Sequence, residues 1–240
     1  MPTLLQKQVK RRHDISVVII HSDDDIIVVN KPAGVIVHRA LGYPDGTLCD
    51  ILLKDFPDMA GVGSVERPGV VHRLDRDTSG VMVFARNQRA YLALRREFEN
   101  HGKVKKTYLA VLHGTPKPQS GMLNTLIGRK PFDAKRMAVV DRNGKTAITR
   151  WTVLSRHGGL SLVEFAIETG RTHQIRVHAA HLGTPIAGDT LYGDSVRDRR
   201  MAHAPSRPLL HAVALAFPHP STRRLVEFAA EPPADLVYAR

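Results

Sequence analysis

Hydrophobic and polar positions along this chain are arranged mostly as strands require. Val17-Val18-Ile19-Ile20 and Ile26-Ile27-Val28-Val29 are β-branched runs separated by Asp23-Asp24-Asp25, and read as two strands joined by an acidic turn. Asn30-Lys31-Pro32-Ala33-Gly34 breaks the pattern as a loop. Thr47 is placed to cap a short helix running through Asp55 and stopped by Pro57. Gly61 to Gly69 reads as a loop leading to a Val- and Phe-rich strand, Val81-Met82-Val83-Phe84. Asn87 then reads as the N-cap of a helix from Gln88 to Asn100, ended at Gly102. Leu92, Leu94 and Phe98 supply its apolar positions, while Arg89, Arg95, Arg96 and Glu97 fall mostly on the other side.

Lys105 to His113 alternates well enough to be a strand, and Pro116 to Gly121 reads as a linker-like loop. Met137 to Val140, Thr146 to Leu154, Leu160 to Ile167, Leu210 to Phe217 and Arg224 to Phe228 are further β-type segments. A short helix is expected after Gly170, capped by Thr172 and ended at Gly183. Strands dominate without alternating regularly with helices. The expected fold class is therefore α+β: a mixed, mainly antiparallel sheet with flanking helices. Residues 1–16 read as a polar, basic arm ahead of the first strand.

Composition narrows the functional classes. The 240 residues, 42% hydrophobic and 24% charged, suit a globular protein with a sizeable core. No apolar run approaches the roughly 20 residues of a membrane-spanning helix, so no membrane association is expected. Cys49 is the single cysteine, which excludes an internal disulfide and a thiolate metal site and points to a reducing, cytoplasmic setting. Thirty-five basic residues against 23 acidic give a net charge of +12, for which a polyanion, nucleic acid first, is the natural partner. The basic residues are spread over several clusters, as a broad phosphate-tracking surface would require.

Two segments carry candidate chemistry. His72-Arg73-Leu74-Asp75-Arg76-Asp77-Thr78-Ser79-Gly80 sets a carboxylate between two guanidiniums at the entrance of a strand. Asp75 reads either as a member of a surface ion-pair cluster or as a catalytic acid kept ionised by its neighbours. Downstream, His173 and Arg176 are three apart and share a face of the expected helix; a solvated basic face is the alternative. His173, His178 and His181 raise a metal site, but no zincin pattern and no second ligand type joins them. Tyr108 is either a packing aromatic or a flat face for an extruded base. Asp189 and Tyr192-Gly193-Asp194 read as a turn, either a metal-binding one or, preferred, a plain structural one. Gly61 and Gly63 lack the setting of a phosphate-binding loop, so no nucleotide cofactor is indicated.

In series, these segments resemble the RluA-type family of RNA pseudouridine synthases. Ile26 to Gly34 resembles its first motif, Gly69 to Gly80 its catalytic motif, Lys106-Thr107-Tyr108 its Lys-x-Tyr element and Glu168 to His178 its third motif. Gly188 to Gly193 and Leu210-His211-Ala212 follow in the expected order. The resemblance implies that residues 17–240 form a pseudouridine synthase catalytic domain that acts on structured rRNA or tRNA without cofactor or metal; a monomer is the default expectation for a chain of this size. It implies Asp75 as the catalytic aspartate, Tyr108 stacked on the flipped uracil and Arg176 ion-paired with Asp75. Arg73 would enter the RNA stack, with Arg171 and His173 as further RNA contacts. The rival readings are an RNA-binding or ribosome-assembly factor with a vestigial site, and an RNA glycosylase or nuclease that uses Asp75 for hydrolysis.

Overall fold

Strand β2 (Ser16–Ser22) buries Val17 and Ile19 and leaves the intervening positions partly exposed, the alternation of a sheet with one covered face. Strands β3 (Ile26–Lys31) and β4 (Ser79–Ala85) are buried on both faces, which explains their unbroken runs of Val, Ile, Met and Phe. In the computed structural model, residues 7–10, 16–40, 45–100 and 102–239 are described. The chain divides into two compact units, Met1–Val104 with Val213–Glu231, and Lys105–Ala212 with Pro232–Arg240.

In the first unit the strand order is β1-β2-β3-β4-β10-β11, where β1 is Lys7–Lys10, β10 is Leu210–Pro218 and β11 is Leu225–Ala229. The expected acidic turn joins β2 to β3 in antiparallel register, Ile19 opposite Val29. Part of the basic arm departs from expectation: β1 pairs with β2, Lys7 opposite Ile19. Helix α1 (Leu48–Asp55) starts as predicted at Thr47, in a full capping box with Asp50. Helix α2 (Gln88–Glu99) starts at Asn87, whose side chain accepts from Ala90 N.

The polarity of α2 differs from the sequence reading. Leu92 is 57% exposed, whereas Glu97 is buried, and Arg223 donates to it at 2.8 Å. A partner from β10–β11, more than a hundred residues away in the chain, reverses what local patterning suggests.

The second unit orders its strands β5-β9-β8-β6-β7, with every pairing antiparallel. These are β5 (Lys105–His113), β6 (Ser120–Lys130), β7 (Asp133–Val140), β8 (Lys145–His157) and β9 (Leu160–Ile167). The predicted loop Pro116–Gly121 ends early, because Ser120 and Gly121 already begin β6. Gly121 is needed there: a Cβ would collide with the Trp151 indole across the β6–β8 ladder.

Helix α3 (Gln174–His181) lies where expected, but its cap does not. The N-cap is His173, with a left-handed φ of 58°, and it makes no side-chain capping bond; Thr172 is exposed. Val177 of α3 packs with Ile127 and Ala147 in a core bordered by Met137, Val139 and Tyr192.

Candidate active site

In the first unit the Gly69–Gly80 motif runs from a loop into β4, and its backbone is anchored from the Asn30–Gly34 segment. Lys31 is completely buried; its Nζ donates to the carbonyls of Pro32 (2.9 Å), Val35 (2.8 Å) and Arg76 (2.8 Å). Gly34 N donates to the same Arg76 carbonyl at 2.9 Å. Two bonds from one early loop thus converge on the residue after Asp75. A third constraint is local: Thr78 N donates to the Asp75 carbonyl at 3.2 Å. Leu74, Thr78 and Ser79 are buried around it. A bound that tight is what an acid needs in order to act at a fixed position.

The side chains of the motif divide. Asp75 is half-buried and Arg73 is exposed. Arg76 forms a two-bond pair with Asp77, Nε to Oδ1 at 3.0 Å and Nη2 to Oδ2 at 2.9 Å. His72 accepts from Val83 N at 3.1 Å and stacks on Phe98 with ring centres 4.6 Å apart. Beside Arg73 lies an open groove of about 660 Å³, bordered by His38, Arg67, Val71, His72, Tyr91 and Arg95. Burial, together with the charges of Arg67 and Arg73, holds the His38 pKa below its ordinary value.

In the second unit, Lys106 and Tyr108 are buried on one face of β5, as period-two alternation dictates. Tyr108 stands opposite Phe165 of β9. Lys106 Nζ donates to the Glu168 carbonyl at 3.1 Å. Burial and the neighbouring positive charge of Arg171 push its pKa down to about 8.

The third motif is wired by its spacing. Gln174 and His178 are one helical turn apart, and both bond the Thr149 hydroxyl of β8, at 2.9 and 2.8 Å. Gln174 also donates to Ile148 O and accepts from Arg171 N and Thr169 Oγ1. His178 receives a second hydroxyl contact, Nε2 to Thr125 Oγ1 at 3.0 Å, and burial pushes its pKa down to about 4. Both ring nitrogens of His178 are thus engaged by threonine hydroxyls, and His181 is exposed. Among the described residues no cluster of three metal-ligating side chains occurs. Arg171 Nε donates to the Thr146 carbonyl at 2.8 Å.

Arg176 is clamped within its own unit. Its Nε donates to Asp189 Oδ2 at 2.7 Å and its Nη2 to Asp189 Oδ1 at 2.8 Å, and both residues are buried. Asp189 Oδ1 accepts in addition from Leu191 N and Tyr192 N, so the carboxylate is saturated with donors. The guanidinium also lies 5.2 Å from the centre of the Tyr192 ring. The Tyr192 hydroxyl accepts from Met137 N and bonds His173 Nδ1, both at 2.8 Å. Gly188, with φ 77°, and Gly193 permit this turn: a Cβ on either would run into the Arg207 or Asp189 carbonyl. The segment read from sequence as a plain turn therefore orients Arg176. Only the order Gly-Asp-x-x-Tyr-Gly hinted at that role.

Residues 25–181 match the family of RNA pseudouridylate synthases, a span that holds Arg73, Asp75, Tyr108, Arg171, His173 and Arg176. The chain is 41% identical over 230 residues to an uncharacterized RNA pseudouridine synthase of Synechocystis, covering 92% of this chain and 68% of that protein. It is 39% identical to the ribosomal large subunit pseudouridine synthase D of Zymomonas mobilis, over 93% of this chain and 71% of the relative. The solved structure of human RNA pseudouridylate synthase domain containing 1 superimposes with a TM-score of 0.73 at 30% identity, covering 92% of this chain and 86% of that one. The chain belongs to the RNA pseudouridine synthase family: an isomerase with the α+β fold of that family.

Proposed function

We propose that this protein converts specific uridines of structured rRNA or tRNA to pseudouridine, with Asp75 as the catalytic carboxylate. The observation that carries this reading is the family match over residues 25–181, a span whose sequence includes Asp75, Tyr108 and Arg176. Ribosomal RNA is favoured over tRNA by the relative named as a ribosomal large subunit pseudouridine synthase. The net charge of +12 supports a polyanionic substrate held in a salt-dependent manner. The protein works as a monomer in the cytoplasm on this reading.

The reaction breaks the bond from uracil N1 to ribose C1′ and forms one from C5 to C1′. A proton leaves C5 and one is gained at N1, so nothing is oxidised or hydrolysed. A stacked base is out of reach, and its extrusion costs roughly a few kcal/mol. Arg73 offsets part of that cost by occupying the vacated place in the stack. Tyr108 supports the flipped uracil by stacking. Arg176 keeps Asp75 anionic by ion pairing, and Arg171 and His173 contact the RNA.

The test is pseudouridine mapping on total RNA from cells with and without the gene, followed by treatment of the unmodified RNA with purified protein. Sites that vanish in the deletion and return in vitro support the reading. Tight RNA binding with no change at any uridine favours a vestigial site, and free uracil or strand breaks favour hydrolysis.

A further inference from the structure

Phe132 stands at the tip of the β6–β7 hairpin with its side chain fully exposed. Its backbone has a φ of 61°, a left-handed conformation that disfavours a bulky side chain and favours glycine or asparagine. Two unfavourable choices therefore coincide at one residue: a large apolar ring in water, and a strained backbone beneath it. Such coincidences are kept where surrounding structure and function demand them.

The surroundings indicate what covers the ring. Arg129 and Lys130 precede it and Lys135 and Arg136 follow it, against the single carboxylate of Asp133, which pairs with Arg136 at 3.4 Å. An uncharged apolar surface gains nothing from this cationic collar. A nucleobase attached to phosphates fits both parts: the base stacks on the ring and the phosphates meet the cations. The hairpin is also rooted beside the candidate site, because Met137 N of β7 donates to the Tyr192 hydroxyl and Tyr192 lies under Arg176.

We propose that Phe132 is a stacking platform for an unpaired base of the RNA, one that the β6–β7 hairpin presents next to the Arg176 turn. This rests on the RNA-modifying reading and adds a specificity element to it. The platform distinguishes RNA with an open loop from fully paired RNA, since only an unpaired base offers a free face.

The experiment compares wild type, Phe132→Gly and Phe132→Trp for binding to a short stem-loop RNA and to the fully paired duplex of the same stem. Glycine suits the left-handed backbone, so this variant keeps the fold, which its melting curve verifies. Phe132→Gly is expected to weaken stem-loop binding roughly 5- to 100-fold, the range for losing one stacked base. Duplex binding should stay within about two-fold with an unchanged salt slope, because no phosphate contact is removed. Phe132→Trp should restore stem-loop affinity, with indole emission quenched on binding relative to the buried Trp151 of wild type.

Equal affinities of wild type and Phe132→Gly for the stem-loop, or equal losses on both RNAs, overturn the proposal. So does a variant that loses only self-association or vesicle binding, which would assign the ring to an apolar partner. Pseudouridine formation by wild type on total RNA separates the two levels. If it persists while Phe132→Gly binds normally, the platform alone fails; if wild type neither modifies nor binds RNA, the underlying reading fails with it.

Discussion

Arg176 and Asp189 form a bidentate pair at 2.7 and 2.8 Å, the guanidinium side chain 8% and the carboxylate 0% exposed. An ion pair so fully withdrawn from water contributes little net stability against an apolar replacement, but breaking it leaves an uncompensated charge in the interior. Its value lies in geometry. With one edge of the guanidinium clamped and its face resting on Tyr192, the remaining donor positions are fixed in direction.

Asp189→Asn removes the charge and turns an amide N–H₂ toward a cation. The expected result is destabilisation of about 3–5 kcal/mol in urea unfolding, the range for splitting a buried pair. Turnover should fall as well, even in conditions where the variant is folded. Thr190→Ala, at the exposed neighbouring position, is the control and should change neither. A folded Asp189→Asn protein with wild-type turnover would show that the clamp is dispensable.

Lys31→Met keeps the buried stem and deletes the ammonium that serves three carbonyls. The Arg76 carbonyl keeps its bond from Gly34 N, whereas the Pro32 and Val35 carbonyls lose this donor, and each carbonyl left without a partner costs about 1–3 kcal/mol. Unfolding free energy should therefore drop by several kcal/mol. Amide exchange in the Arg73–Thr78 segment should accelerate more than exchange in β3 itself. Uniform acceleration would mean that Lys31 supports the whole unit and has no special tie to the Asp75 segment.

His178 predicts an acid-dependent loss of stability. Burial lowers its folded-state pKa to about 4, below the ordinary 6.5, so the unfolded chain binds the proton more readily. The contribution is fully present above the unfolded value and is lost as pH falls from there through about 4. Its ceiling is on the order of 3 kcal/mol. Urea titrations between about pH 7 and pH 4.5 should show a steeper decline for wild type than for His178→Gln, which has no such proton to bind. Parallel declines would refute the buried neutral imidazole.

Much of this architecture was legible in local chemistry. The β-branched runs of β2 and β3, the Thr47 cap and the Asn87 cap each depend on residues within a few positions, and each appears where patterning places it. Strand β6 was missed because Ser120, Gly121, Asn124 and Thr125 dilute its apolar alternation; its stability comes from pairing with β8 on one side and β7 on the other. The cap of α3 shifted from Thr172 to His173 because the first turn is fastened by the buried Gln174 amide instead of a capping hydroxyl.

The site shows the same division. The motifs marked Asp75, Tyr108 and Arg176, but not the groups that fix their surroundings. Lys31 and Asp189 look like ordinary loop polar residues until the fold brings Arg76, 45 positions on, to one and Arg176, 13 positions back, to the other. Burial of a charge is decided by distant partners, and a single sequence carries no direct record of them.

The central claim is that Asp75 performs the isomerisation. Pseudouridine should be quantified on unmodified RNA carrying the mapped target uridine, with wild type and Asp75→Asn at equal protein concentration and with RNA affinity measured alongside. The account predicts that Asp75→Asn binds the RNA within a few-fold of wild type and forms no pseudouridine. Wild-type turnover by that variant would contradict it.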